Sequence, residues 1–310
     1  MTPLPAWRIA ALSSLIAFGL TAPQIQAVPV ASVRLAGELH CQWLNRFGQP
    51  DITAAAIDWL ERCLVGLPST KRANSTDQGY TKDRQKLHNG IIEKARSGKP
   101  CITTGRPIAI LTGGPPGAGK TTWLKRHIPS SVLQNSYRID ADEVREALPE
   151  YQGWNASATQ DEVRDIVDQQ LQAISKPCQL HVIYDGTMAR ADRYLTLIPT
   201  LKGMGYRVFL VQVVIPEAIS QRRVLDRYQA TGRFVPRSIV KAFYGQGAMV
   251  FRQLAPAANG SIQVDGLTGR ILRSQGDPLP RMQPSPGAAP NKSSRSKPIE
   301  RAMGRSNLNP

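Results

Sequence analysis

Cysteine is scarce and unpatterned in this 310-residue chain. The four that occur, Cys41, Cys63, Cys101 and Cys178, form no C-x-x-C pair and have no closely spaced histidine, so a zinc site is not supported. Their even number permits two disulfides in any of three pairings, or four buried thiols in a reduced protein. The apolar run near the start, residues 9–20, is twelve residues long and too short to span a bilayer. Basic stretches interleaved with aromatics, of the kind that stack bases, are absent, which argues against nucleic acid as the partner. No internal repeat is visible.

What is present starts with charge. The net charge of +16 and pI near 10.1 point to acidic partners without choosing among nucleotides, nucleic acid, anionic membrane or solvent. Eight Lys or Arg against two acids lie in a Pro/Ser/Gly-rich stretch, residues 266–310, with no visible periodicity. It is expected to be a solvated basic tail. Arg8 ahead of the apolar run, and small residues up to Ala27, resemble an export signal over residues 1–27, with a bare N-terminal helix as the alternative. On the first reading the protein is secreted or periplasmic and the mature chain has no membrane span.

Residues 28–105 read as a helical N-terminal extension. Asp51 can cap a helix that places Ile57, Leu60 and Leu64 on one face, residues 67–79 have loop composition, and a second helix runs toward Ala95. Residues 106–265 then alternate apolar strands with amphipathic helices, which predicts an α/β domain with a mainly parallel sheet. Strands are expected at residues 108–111, 136–139, 180–184, 207–215 and 261–265, and helices at 120–127, 141–148, 161–175, 191–202, 218–231 and 237–254.

The strongest chemical signal is the P-loop pattern Gly-x-x-x-x-Gly-Lys-Thr at Gly114, Gly119, Lys120 and Thr121, set between an expected strand and an expected helix. Gly114, Pro115, Pro116, Gly117, Ala118, Gly119, Lys120, Thr121 and Thr122 can wrap backbone amides around phosphates. Lys120 adds charge, Thr121 can hold Mg²⁺, and the positive end of the following helix points the same way. "RIDADEVR" ends a strand in Asp140 and Asp142 beside those phosphates, where one carboxylate can accept a hydroxyl proton and the other can support metal or substrate. Helix capping by Asp140 is the plainer reading. "VIYDGT" ends a strand in Asp185, a place for an acid that supports Mg²⁺, with Thr187 just beyond. Arg222, Arg223, Arg227 and Arg233 follow on a helix and its loop; guanidinium groups there can stabilise a transferring phosphoryl group, though Arg222 and Asp226 are also spaced as a simple i,i+4 pair.

In order and spacing, the P-loop, "IDADEVR" with Pro149 and Tyr151 after it, "YDGT", "DRY" and "GRFVP" resemble the zeta toxin family of kinases over roughly residues 80–254. The resemblance implies a P-loop kinase fold, with ATP and Mg²⁺ as cofactors. It implies Asp142 as catalytic base, Lys120 as the phosphate-binding lysine and Arg227 and Arg233 as lid arginines. It makes Glu162 a substrate-contacting acid, with Asp140, Arg145, Asp185 and Thr187 on the substrate side. The implied reaction moves the γ-phosphate to a hydroxyl of a nucleotide-linked small molecule: a nucleotide sugar, above all UDP-N-acetylglucosamine at its 3′-hydroxyl, or a dinucleotide such as NAD. An antitoxin or immunity protein is the implied partner. A nucleic-acid kinase and an exported, non-catalytic nucleotide-binding protein stand as alternatives.

Overall fold

The computed structural model describes residues 41–279 apart from 104, 176 and 177. The expected export signal at residues 1–27 and the end of the expected basic tail lie outside the described residues.

In chain order the elements are α1 (Ala54–Val65), α2 (Thr70–Ala73), β1 (Ser75–Thr76), β2 (Gly79–Tyr80), α3 (Lys82–Arg96), β3 (Ile108–Gly113), α4 (Lys120–His127), α5 (Ser130–Asn135) and β4 (Tyr137–Asp140). They continue as α6 (Ala141–Glu146), α7 (Ala156–Gln172), β5 (Val182–Asp185), α8 (Ala191–Gly203), β6 (Arg207–Val214), α9 (Glu217–Thr231), α10 (Arg237–Leu254), β7 (Gly260–Asp265) and β8 (Ile271–Gly276).

A six-stranded sheet is ordered β4-β5-β3-β6-β7-β8, with β4 to β7 parallel to their neighbours and β8 antiparallel. Its central strands read as near-continuous apolar runs because both faces are covered. Ala109 and Leu111 of β3 and Val208 and Leu210 of β6 face one core, with Ile166 of α7, Ile198 of α8 and Leu254 of α10. Ile108 and Ile110 of β3 and Phe209 and Val211 of β6 face the other, with Trp123 and Leu124 of α4 and Val132 of α5. The strand period of two therefore assigns each residue to a layer. The P-loop strand sits in the middle, and the carboxyl ends of β4, β3 and β5 open on the same edge of the sheet, where ligands of such folds bind.

The N-terminal extension is helical as expected, but Thr53 rather than Asp51 caps α1: its side chain accepts from the Ala56 amide, while Asp51 accepts from the Thr53 amide at 2.8 Å. Ile57, Leu60 and Leu64 are all buried, contributing on the order of 1.5–3 kcal/mol each. The loop composition of residues 67–79 conceals α2 and the β1–β2 hairpin. Disulfides join Cys41 to Cys63 and Cys101 to Cys178, so all four cysteines are paired. The first ties the segment ahead of α1 to its last turn; the second ties the lead-in to β3 to the lead-in to β5.

The expected tail is corrected at its start. Residues 271–276 form β8, antiparallel to β7, after a turn in which Gly269 takes φ +76°. Every residue of β8 is exposed, so no alternation of apolar and polar side chains marks it in the sequence. Helix α7 begins at Ala156, earlier than expected, and the short α5 was not anticipated. Among the described residues no helix is long and apolar enough to cross a membrane.

Candidate active site

The P-loop leaves β3 through Gly114 at φ +137°, where a Cβ would stand 2.1 Å from the Val213 carbonyl oxygen, so only glycine fits. Gly119, at φ +90°, opens α4 from the left-handed region. The Gly114 amide donates to the Thr187 carbonyl at 2.9 Å, so Thr187 holds the loop by its backbone. Helix α9 clasps the loop from outside: the Ser220 hydroxyl donates to the Pro116 carbonyl at 2.7 Å, and Arg223 donates to the Gly117 carbonyl at 3.1 Å. The first-turn amides of α4, including those of Lys120, Thr121 and Thr122, have no acceptor within the helix and sum to a positive end.

Lys120 lies back along the loop, donating to the Gly114 and Pro115 carbonyls at 3.2 and 3.5 Å. Burial lowers its pKa, opposed by the Asp185 and Asp140 carboxylates, and Arg227 and Arg233 lower it further. Burial also lowers the pKa of Arg227 and of Arg233. Nε of Arg227 is buried without a hydrogen-bond partner. Arg227 and Arg233 thus stand near enough to Lys120 to act on its charge, and burial disfavours all three cations, an arrangement that a bound anion would relieve.

Asp142 is held between two arginines. Arg145 donates to Oδ1 at 2.8 Å and Arg233 donates to Oδ2. Arg145 is itself buried and fixed by Thr159 at 3.2 Å and Gln160 at 2.8 Å, so it orients Asp142 instead of waiting for substrate. Asp140 turns out to be the N-cap of α6, accepting the Asp142 amide at 2.9 Å, and its other oxygen takes Arg138 at 2.7 Å. The capping reading therefore accounts for Asp140, whose part is to place Asp142. Arg138, which the sequence reading did not single out, also reaches Asp185 at 3.4 Å and Glu143 at 2.9 Å. Its signal was the i,i+2 spacing to Asp140 within one strand, which puts both on the same side of β4.

Asp185 accepts from the Thr112 hydroxyl at 2.7 Å. Asp185 and the Thr121 hydroxyl are hard-oxygen groups of the kind that could hold Mg²⁺ arriving on a triphosphate. Among the described residues no cluster of three His, Cys, Asp or Glu could hold a metal by itself. Beside the P-loop, a cavity of about 300 Å³ lies between α4 and the β7–β8 turn, lined by Gly119, Thr122, Trp123, Arg126, Arg223 and Gly266.

Two expected residues stand elsewhere. Glu162 is fully buried, with Arg84 donating at 2.5 and 2.9 Å and His88 at 2.6 Å, so it joins α3 to α7 and offers no face to a substrate. Arg222 is exposed and paired with Asp226 at 2.8 Å, the i,i+4 arrangement weighed as its alternative.

The family model for zeta toxin matches residues 92–273, more than half of the chain. The chain belongs to the zeta toxin family. The match takes in the P-loop, Asp142, Asp185, Arg227 and Arg233 and reaches into β8, while α1, Arg84 and His88 lie outside it. Toxin PezT of Streptococcus pneumoniae serotype 4 (strain ATCC BAA-334 / TIGR4) is 30% identical over 130 residues, 40% of this chain and 51% of that protein. The chain thus spans about half the length of this relative. Among solved structures, that of the PezAT chromosomal toxin-antitoxin system of the human pathogen Streptococcus pneumoniae is similar with a TM-score of 0.53 at 22% identity, covering 64% of this chain and 82% of the other. The AvrRxo1-ORF1:-ORF2 complex is similar with a TM-score of 0.51 at 14% identity, covering 74% and 76%. Both are likenesses of fold.

Proposed function

We propose that this zeta toxin family member is an ATP-dependent phosphotransferase that moves the γ-phosphate to a hydroxyl of a nucleotide-linked small molecule, with UDP-N-acetylglucosamine as the first acceptor to test and NAD-like dinucleotides as the second. The observation that carries the reading is the ion pair of Arg233 with Asp142, in the first turn of α6 just past the carboxyl end of β4, with Arg233 and Arg227 acting on the P-loop Lys120 and burial disfavouring all three cations.

The triphosphate lies along the P-loop amides and the first turn of α4, and its charge relieves the three cations. Of the two groups on Asp142, Arg145 is buried and fixed, whereas Arg233 sits on the loop after α9 and is free to leave for the phosphates. That exchange uncovers Oδ2. The acceptor hydroxyl then gives its proton to Asp142 as its oxygen bonds to the γ-phosphorus, the bond from that phosphorus to the β,γ-bridging oxygen breaks, and ADP departs. Thr121 and Asp185 would hold Mg²⁺, which would supply neutralising charge on the phosphate oxygens. The cavity beside Trp123 offers room for the nucleoside of the donor.

Two further proposals follow. The PezT relative belongs to a toxin-antitoxin system, which supports a neutralising antitoxin or immunity partner here. The two disulfides suit an oxidising compartment, which supports export by the N-terminal signal; the need for ATP, and not the disulfides, is the ground for action in a recipient cytosol.

The test is incubation of the full chain with ATP, Mg²⁺ and a panel of nucleotide sugars and dinucleotides, read by mass. A gain of one phosphate on one acceptor class is expected. An unchanged panel with ATP unconsumed would sink the proposal.

A further inference from the structure

Each lid arginine is followed in the chain by an aromatic residue that does not face the cleft. Tyr228 after Arg227 and Phe234 after Arg233 are 1% and 2% exposed, and their rings meet edge to face at 5.1 Å. Both are buried in a small apolar cluster that is separate from the two sheet cores and is completed by Ile57, Leu60 and Leu64 of α1, by Cys41 and by Trp154. The turn between the two arginines is equally confined: a Cβ on Gly153 would meet the Gly232 carbonyl oxygen at 2.7 Å, and the Phe234 amide donates to the Gly153 carbonyl at 3.2 Å.

Helix α1 also grips the far end of this segment. The backbone amide of Arg237, first residue of α10, donates to Glu61 Oε1 at 2.7 Å, and its guanidinium donates to Glu61 Oε2 at 3.0 Å and reaches Asp58. Glu61 thus supplies the N-cap that Pro236 cannot, satisfying an orphan donor of α10 from another helix. The Cys41–Cys63 disulfide ties the segment ahead of α1 to its last turn, with Cys41 inside the same buried cluster. The family match begins at residue 92, so α1, Glu61 and this disulfide lie outside the matched region.

We propose that α1 is a positioning element of the transfer site, with Leu60 and Glu61 holding the Tyr228–Phe234 segment so that Arg227 and Arg233 reach the transferring phosphate. The proposal rests on the reading of those arginines as phosphate-binding groups. The P-loop is held by Thr187, Ser220 and Arg223 and Lys120 by the loop's own carbonyls, so none of these contacts comes from α1 and the loop can grip a nucleotide without it. Loss of the seam should therefore act on transfer and spare nucleotide binding, since small misplacements of charge-stabilising groups act on the transition state.

The experiment compares the full-length protein with Glu61→Gln and, because one polar change is the gentler, with Leu60→Ala as a second variant. Kinetics, calorimetry with Mg-ATP and amide exchange are read on each. The expected result is a kcat lowered roughly 10- to 100-fold with the dissociation constant for Mg-ATP within about 2-fold, and faster exchange confined to residues 225–237 while β3 and the P-loop stay protected. If exchange in that segment does not change, or rises equally across the sheet, α1 is ordinary scaffold and the proposal is overturned. Should the unmodified protein transfer phosphate to nothing, the kinase reading fails, and the exchange pattern alone still decides whether α1 holds the segment.

Discussion

Asp142 and Glu162 are both carboxylates gripped by two basic side chains, and the two sites differ in what surrounds them. Glu162 is fully buried between Arg84 and His88, while the Asp142 side chain is 42% exposed between Arg145 and Arg233. Burial alone would push the Glu162 pKa up, but the hydrogen bonds from His88 and Arg84 outweigh it and hold the carboxyl at about 2. No substrate can displace such partners without leaving charge uncompensated in the interior. Asp142 keeps one partner that is fixed and one that can leave. The same local charge pattern is thus a structural joint where it is sealed and a candidate catalytic group where it opens on the cleft.

The comparison is broken most sharply by Asp142→Asn. Transfer should fall on the order of 10²- to 10⁴-fold while the melting temperature and Mg-ATP affinity stay close to the unmodified values; kinetics and calorimetry on one preparation check it, and undiminished turnover would remove Asp142 from the base role. Glu162→Gln should do the reverse. Removing the charge from a buried pair destabilises by roughly 3 kcal/mol or more, seen as a lower urea midpoint, with kcat per folded molecule retained; a kcat loss at unchanged stability would restore Glu162 to the substrate site.

A pH series sharpens the same contrast. Because the folded Glu162 carboxyl is depressed to about 2 from 4.5, its contribution is complete above about pH 4.5 and is lost as pH falls toward about 2. Urea midpoints of the unmodified protein should drop through that window more steeply than those of Glu162→Gln, and parallel profiles would contradict the assignment. The smallest effect is expected at Arg222→Ala. An exposed i,i+4 pair contributes about 0.3–0.5 kcal/mol, so stability should barely move and transfer should not change; a large kinetic loss would bring Arg222 into the cleft.

Why Glu162 and Asp142 could not be separated in the sequence is a matter of distance along the chain. Glu162 lies ahead of the "YDGT" strand, where the family resemblance implies a substrate contact, yet its partner Arg84 lies 78 residues away and its partner His88 74 residues away. Asp142 stands in a short consecutive signature with its N-cap Asp140 and its partner Arg145, so the local helix geometry brings them together by itself. The P-loop was legible for the same reason, because its glycines and Lys120 act within one turn. Strand β8 was not, since an exposed edge strand carries no buried face to impose a period. Arg223 was weighed among the lid cations, and packing instead applies it to the Gly117 carbonyl.

By itself the chain of residues determined the layered α/β order, the phosphate cradle and the arginine-bearing segment, because periodicity, glycine placement and short-range spacing act between neighbours. Tertiary structure alone decided that Glu162 is closed to substrate and that α1 stands behind the segment bearing Arg227 and Arg233. Those outcomes depend on which distant side chains share a buried space, and burial is a property of the assembled fold, fixed only when residues far apart in sequence exclude water together.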